Sequence, residues 1–213
     1  MTTTTTRSLP DGATVRTLPI RTKPLPRESL DSWLEAIAAR LGVTMREVYE
    51  AMGFRAPFGQ LWWHIHRQVT DAEAAVIATA TGCTREEVCA MTLSRYRSIV
   101  GMDDTGRFTG ASPWGRVYGS RFCPDCLAAS GGAWKLRWRL VWTFACLQHR
   151  CLLVDRCPRC GGGQRYRYRV RHAAARPGQC ANPAVGTPRG DSRCVTLTSG
   201  KHRCFASQQS TQC

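Results

Sequence analysis

The chain has 213 residues, is 43% hydrophobic and carries a formal charge of +15, which suffices for one ordinary core or two small ones of about 100 residues each. No run reaches the ~18 apolar residues that a membrane span needs, and the Thr-rich start from Met1 to Arg16 holds no apolar stretch of signal-peptide type, so a cytoplasmic protein without a membrane partner is expected. Charge is one-sided: residues 1–115 hold 13 Lys and Arg against 12 Asp and Glu, residues 116–213 hold 17 against 3, an imbalance that favours a polyanionic partner.

In chain order, residues 1–16 are expected to be disordered and the proline-containing segment 17–27 extended. Leu30, Trp33, Leu34, Ile37, Ala38 and Leu41 follow the i, i+3, i+4, i+7, i+8, i+11 spacing of one buried helical face, which predicts a helix over 29–41. Gly42 ends it, and Thr44 with Glu47 three residues on forms a capping box that starts a second helix. The arrangement recurs forty residues later: Ile37 matches Ile77, Ala38 Ala78, Gly42 Gly82, Thr44 Thr84, Glu47 Glu87 and Val48 Val88.

The spacing of small residue, glycine and valine is that of helix-turn-helix units, so residues 17–100 are read as a helical domain with two such repeats. The second helices, Met45 to Glu50 and Arg85 to Ala90, are not basic. DNA reading and plain helical packing or partner docking therefore both stay open. The aromatic stretch from Phe58 to His66 is expected to glue the hairpins together; His64 and His66, one residue apart, diverge on helix or strand and make no metal site. The Gly-rich residues 101–120 read as a linker.

Twelve cysteines in a reducing compartment point to metal ligation rather than disulfides. Cys123 and Cys126 supply half of a zinc site, Cys146 and His149 the other half; four protein ligands leave no open position, so the metal is structural. Cys157 and Cys160 begin a second site, completed by Cys180 and Cys194, with Cys204 and Cys213 as substitutes for Cys194. Two structural Zn²⁺ ions are thus expected in a tandem zinc-ribbon module over 121–197, followed by a disordered tail, 198–213. Cys151 reads as a buried thiol, Cys83 and Cys89 as core residues of the helical half.

Trp134, Trp138 and Trp142 recur every four residues, so a helix would stack them on one side, supplying apolar burial to a small module, with Arg137 and Arg139 elsewhere on its surface. Arg165, Arg167, Arg169 and Arg171 alternate with Tyr166, Tyr168 and Val170; on a strand they form a phosphate-contacting stripe. The basic half offers only Asp125, Asp155 and Asp191 as carboxylates, too few and too close to the ligands for a two-metal nuclease. The protein is not expected to be an enzyme.

The segment Leu25 to Leu34 (LPRESLDSWL), then Arg121 to Leu127 (RFCPDCL), Trp138 to Trp142 (WRLVW), Cys146 to His149 (CLQH) and Leu153 to Gly161 (LVDRCPRCG), resemble the TniQ family, which includes the TnsD-like transposition proteins. The resemblance covers residues 17–162. It implies a mainly α fold with small zinc-ribbon elements, zinc ligands at Cys123, Cys126, Cys146, His149, Cys157 and Cys160, and a non-catalytic accessory role in choosing the target site of DNA transposition. The implied partners are DNA or a guide-RNA effector complex and an AAA+ ATPase, with room for a homodimer. Two departures stand out: the family's second site is commonly closed by another tight pair, whereas Cys180 and Cys194 are thirteen residues apart, and members often continue into further helical DNA-binding regions. A stand-alone transcriptional regulator and a truncated, non-functional copy are the alternatives.

Overall fold

The computed structural model describes residues 16–54, 65–108, 114–115, 119–165, 176–180, 182–184 and 194, to which all structural statements refer. Helix α1, Leu30–Leu41, buries Leu30, Trp33, Leu34, Ile37 and Ala38 and ends at Gly42, whose φ of 69° lets its N–H return to Ala38 and Ala39 carbonyls. That left-handed conformation is cheap only for glycine. Thr44 opens α2, Met45–Met52, with the expected box: its Oγ1 accepts from Glu47 N, and Glu47 Oε2 accepts from Thr44 N at 2.7 Å.

The second copy comprises α3, Asp71–Thr81, Gly82 at φ 78°, and α4, Arg85–Ala90, capped by the Thr84–Glu87 box. α3 has a further box of its own, Thr70 with Glu73. The repeat is functional in packing terms: Ile37 and Ile77, Ala38 and Ala78, Val48 and Val88 are all buried in one shared core that also takes Leu18, Phe54, Ile65 and Val69. Each Ile, Val, Leu or Phe among them contributes about 1.5–3 kcal/mol by leaving water. Residues 55–64, which carry most of the aromatic segment expected to glue the hairpins, lie outside the described residues.

A 3-10 turn, Leu93–Tyr96, leads into the short helix α5, Arg97–Val100. Leu93, Val100 and Met102 then pack with Leu136 and Leu140 of the cysteine-rich half, joined by Tyr96 and Phe108. Part of the span expected as a linker, 101–120, thus supplies core residues where it is described.

The cysteine-rich half holds α6, Pro124–Ala129, a 3-10 turn Leu136–Arg139, and a two-residue hairpin, β1 Ala145–Cys146 antiparallel to β2 Cys151–Leu152. The stretch around the tryptophans is this 3-10 turn with extended flanks, not the expected helix, so the three rings do not line one side. Trp134 and Trp138 meet edge to face at 6.0 Å inside a core with Phe122 and Leu127, while Trp142 turns outward, 6.2 Å from Trp114. Turn geometry wins because Trp134 and Leu136 are tied by their backbones to another partner.

That partner is the start of α1. Ser29 N donates to the Trp134 carbonyl at 2.9 Å, Leu136 N to the Arg27 carbonyl at 3.0 Å, and Trp134 N to Ser32 Oγ at 2.9 Å. Ser32 in turn donates to Glu28 at 2.8 Å. The segment Arg27–Ser32 therefore serves both halves, with Leu30 N bonded to the Met91 carbonyl on its other side. The described residues are mainly helical with little strand, and none of their helices is long and apolar enough to cross a membrane.

Candidate metal centres

The first cluster is assembled by two local structures. Cys123 precedes α6 and Cys126 sits in its first turn, where Pro124, lacking an N–H, suits the first helical position. β1 ends on Cys146, and the tight turn to β2 carries His149. His149 Nδ1 lies 3.4, 3.3 and 3.5 Å from the sulfurs of Cys123, Cys126 and Cys146, and the sulfurs of Cys126 and Cys146 are 3.5 Å apart. Tetrahedral bonds of about 2.3 Å to sulfur and about 2.0 Å to nitrogen place ligands about 3.8 Å (S to S) and about 3.5 Å (S to N) apart. The cluster fits one ion of that size, and Lys135 Nζ, 3.3 Å from Cys126 Sγ, offsets thiolate charge.

The second cluster joins Cys157 and Cys160 with Cys180 and Cys194, all four sulfurs within 4.8 Å of one another. Cys157 and Cys194 stand 3.7 Å apart, Cys160 and Cys180 3.8 Å, the edge lengths of a four-thiolate tetrahedron. The wide separation of Cys180 from Cys194 in sequence is closed by Asn182, whose carbonyl accepts from Cys194 N at 2.9 Å. Gln164 and Asn182 side-chain amides each donate to Cys180 Sγ at 3.3 Å, as second-layer donors to a thiolate do. Burial pushes the Cys123 and Cys180 thiols up to about 12; at Cys146 burial also opposes ionisation, but hydrogen bonds led by the His149 amide bring the thiol down to about 7. A bound divalent cation would hold all of them as thiolates.

The turn before Cys180 packs closely against the segment that follows α6. Gly132, at φ 102°, has the Pro177 carbonyl carbon and Gly178 N at 2.2 and 2.3 Å from where a Cβ would be. Gly132→Ala is expected to cost about 2–4 kcal/mol, from left-handed strain and backbone overlap together; a melting curve checks the loss, and the variant should also hold its second metal more weakly. Cys151, expected as a buried thiol, is buried but disulfide-bonded.

Two of the six arginines read as nucleic-acid contacts are placed in the interior, which corrects their reading. Arg139 is 1% exposed and donates to Asp31 Oδ2 at 2.6 Å and to the Gly119 carbonyl. Arg165 donates twice to Glu35 Oε2, at 2.7 and 2.6 Å, lies 3.3 Å from Asp31 and stacks over Trp134 at 4.9 Å. Both charges are matched by α1 carboxylates and shielded from any phosphate. Arg137 is half-buried, and Arg167, Arg169 and Arg171 lie outside the described residues. Asp155 is engaged with Arg121 at 3.4 Å. Asp31 and Glu35 were not legible as partners, because their neighbours are more than a hundred residues away; the one available signal was a carboxylate, Asp31, beside the apolar stripe of α1.

His66 completes this buried polar layer. It is 3% exposed, and neither ring nitrogen has a hydrogen-bond partner among the described residues. Burial, then the positive field of Arg139, holds its pKa well below the usual value of 6.5, against an opposing pull from Asp31; Arg67 and Arg165 add to the depression. The unfolded chain therefore binds a proton first as pH falls. Stability from neutral His66 is intact above about 6.5 and is lost below it by about 1.4 kcal/mol per pH unit until the folded-state pKa is reached. Measured against His66→Leu, the wild type is expected to lose about 1 kcal/mol between pH 6.5 and about 5.5; parallel stability profiles would contradict it.

Comparison with known families finds that a family model described as TniQ matches residues 19–153, more than half of the chain. No curated protein matches the sequence.

Proposed function

The chain belongs to the TniQ family, a non-catalytic family associated with the transposition machinery, and from that membership we propose that it is an adaptor in target-site selection that binds DNA or a guide complex and recruits an AAA+ ATPase in the cytoplasm. The observation that carries the reading is that the matched span, 19–153, runs through both helical hairpins and the whole first cluster. The ions proposed for both clusters are Zn²⁺, held by thiolate-rich sets with all four positions filled by protein. Closed sites of that kind build scaffold and activate no water.

DNA contacts are proposed for Arg137, Arg167, Arg169 and Arg171, supported by the charge excess beyond residue 115. The helical hairpins, whose second helices are not basic, are proposed for partner docking in place of base readout. The test is direct. Purified protein should bind duplex DNA with an affinity that falls steeply with salt, and should retain a transposon-encoded ATPase in a pull-down. Absence of both at low salt would sink the adaptor reading, and selection of one palindromic sequence without ATPase contact would replace it with a transcriptional regulator.

A further inference from the structure

The two halves are joined by the buried layer just described, and its segment Gln164-Arg165 also touches the second cluster. Gln164 Nε2 donates to the Cys180 sulfur, and the Gln164 carbonyl accepts from Ser120 N at 3.0 Å. The next residue, Arg165, adopts φ 57°, a left-handed conformation that a non-glycine residue keeps only when held from both sides. On one side is the cluster, reached through Gln164. On the other are Asp31 and Glu35 of α1, both on the guanidinium, with the Trp134 ring beneath it. Gly162, two residues before Gln164, is also confined: a Cβ there would sit 2.6 Å from Asn182 Nδ2, and Asn182 is itself bonded to Cys180 and to Cys194 N.

We propose that the second metal works as a latch: by fixing Cys180 and Cys194 it locks Gln164 and Arg165 in place, and Arg165 clamps the start of α1 onto the cysteine-rich half. The inference rests on the reading of that cluster as a metal site. Metal loading of the second site then sets whether the helical half and the module act as one body, while the first site builds the module's own core. An adaptor that must hold two partners in fixed geometry gains a metal-dependent joint between the surfaces that would meet them.

Hydrogen exchange read by mass spectrometry, alongside native mass spectrometry of the full chain, tests this. In the double variant Cys160→Ser/Cys194→Ser, which leaves the first cluster whole, one metal should be lost and amides of Leu30 to Glu35 and of Trp134 to Leu136 should exchange about tenfold faster or more. Arg165→Met should produce the same loosening with both metals still bound, a result that general misfolding of the module would not give. Two metals in the wild type with unchanged exchange in both variants would overturn the latch alone. Fewer than two metals in the wild type would overturn the latch together with the second metal site.

Discussion

Cys126→Ser is expected to abolish metal binding at the first cluster and to unfold the cysteine-rich half, the largest single effect in the protein. Cys126 sits where α6 meets the hairpin: its sulfur is 3.5 Å from Cys146, 3.3 Å from His149 Nδ1 and 3.3 Å from Lys135 Nζ. Removing it leaves Cys123 and Cys146 facing each other in a desolvated pocket with one cation fewer. The apolar core available to replace the metal is small, centred on Phe122, Leu127, Trp134, Trp138 and Leu153. Structural zinc supplies about 10–16 kcal/mol in comparable small modules, as much as a typical domain's entire stability of about 5–15 kcal/mol. Near-ultraviolet circular dichroism from the tryptophans should collapse, while the helical signal of α1 to α4 should persist in large part. A variant with native tryptophan signal and one metal fewer would show that packing, not metal, builds this half.

The second large effect is at Asp31. Asp31→Ala removes the buried carboxylate paired with Arg139, 1% exposed, and one of the two carboxylates around Arg165, 6% exposed, which keeps Glu35. Desolvating a guanidinium is tolerable when a carboxylate answers it and expensive otherwise, so the variant should lose about 3–5 kcal/mol. Chemical denaturation would measure this. Pairing the change with Arg139→Met should recover much of the loss, since an apolar pair of similar volume carries no uncompensated charge. If the double variant is no better than the single one, Asp31 acts through something other than this pair.

The legible and illegible parts of the molecule divide by range. Helix positions, the Gly42 and Gly82 turns and the Thr44 and Thr84 boxes follow from chemistry within four residues, and α1 begins at Leu30 and ends at Leu41 where its apolar spacing does. The Thr70 box is equally local and shows in the Thr-x-x-Glu pattern. The residues of both clusters were readable from cysteine pairing, and the structure brings all eight together in two sets of four. The arginines misled because alternation along Arg165 to Arg171 says which residues share a face, not whether that face meets solvent. Likewise the four-residue spacing of Trp134, Trp138 and Trp142 is blind to the bonds from Ser29, Ser32 and Arg27 that set a 3-10 turn instead. Those bonds cross about a hundred residues, beyond the reach of any periodicity.

We propose that two closed metal centres hold a basic module to a helical unit. Native mass spectrometry of the purified chain tests it most directly. Two zinc ions per chain, retained together and released only with loss of structure, are the expected result; a folded protein that carries no metal would contradict the account.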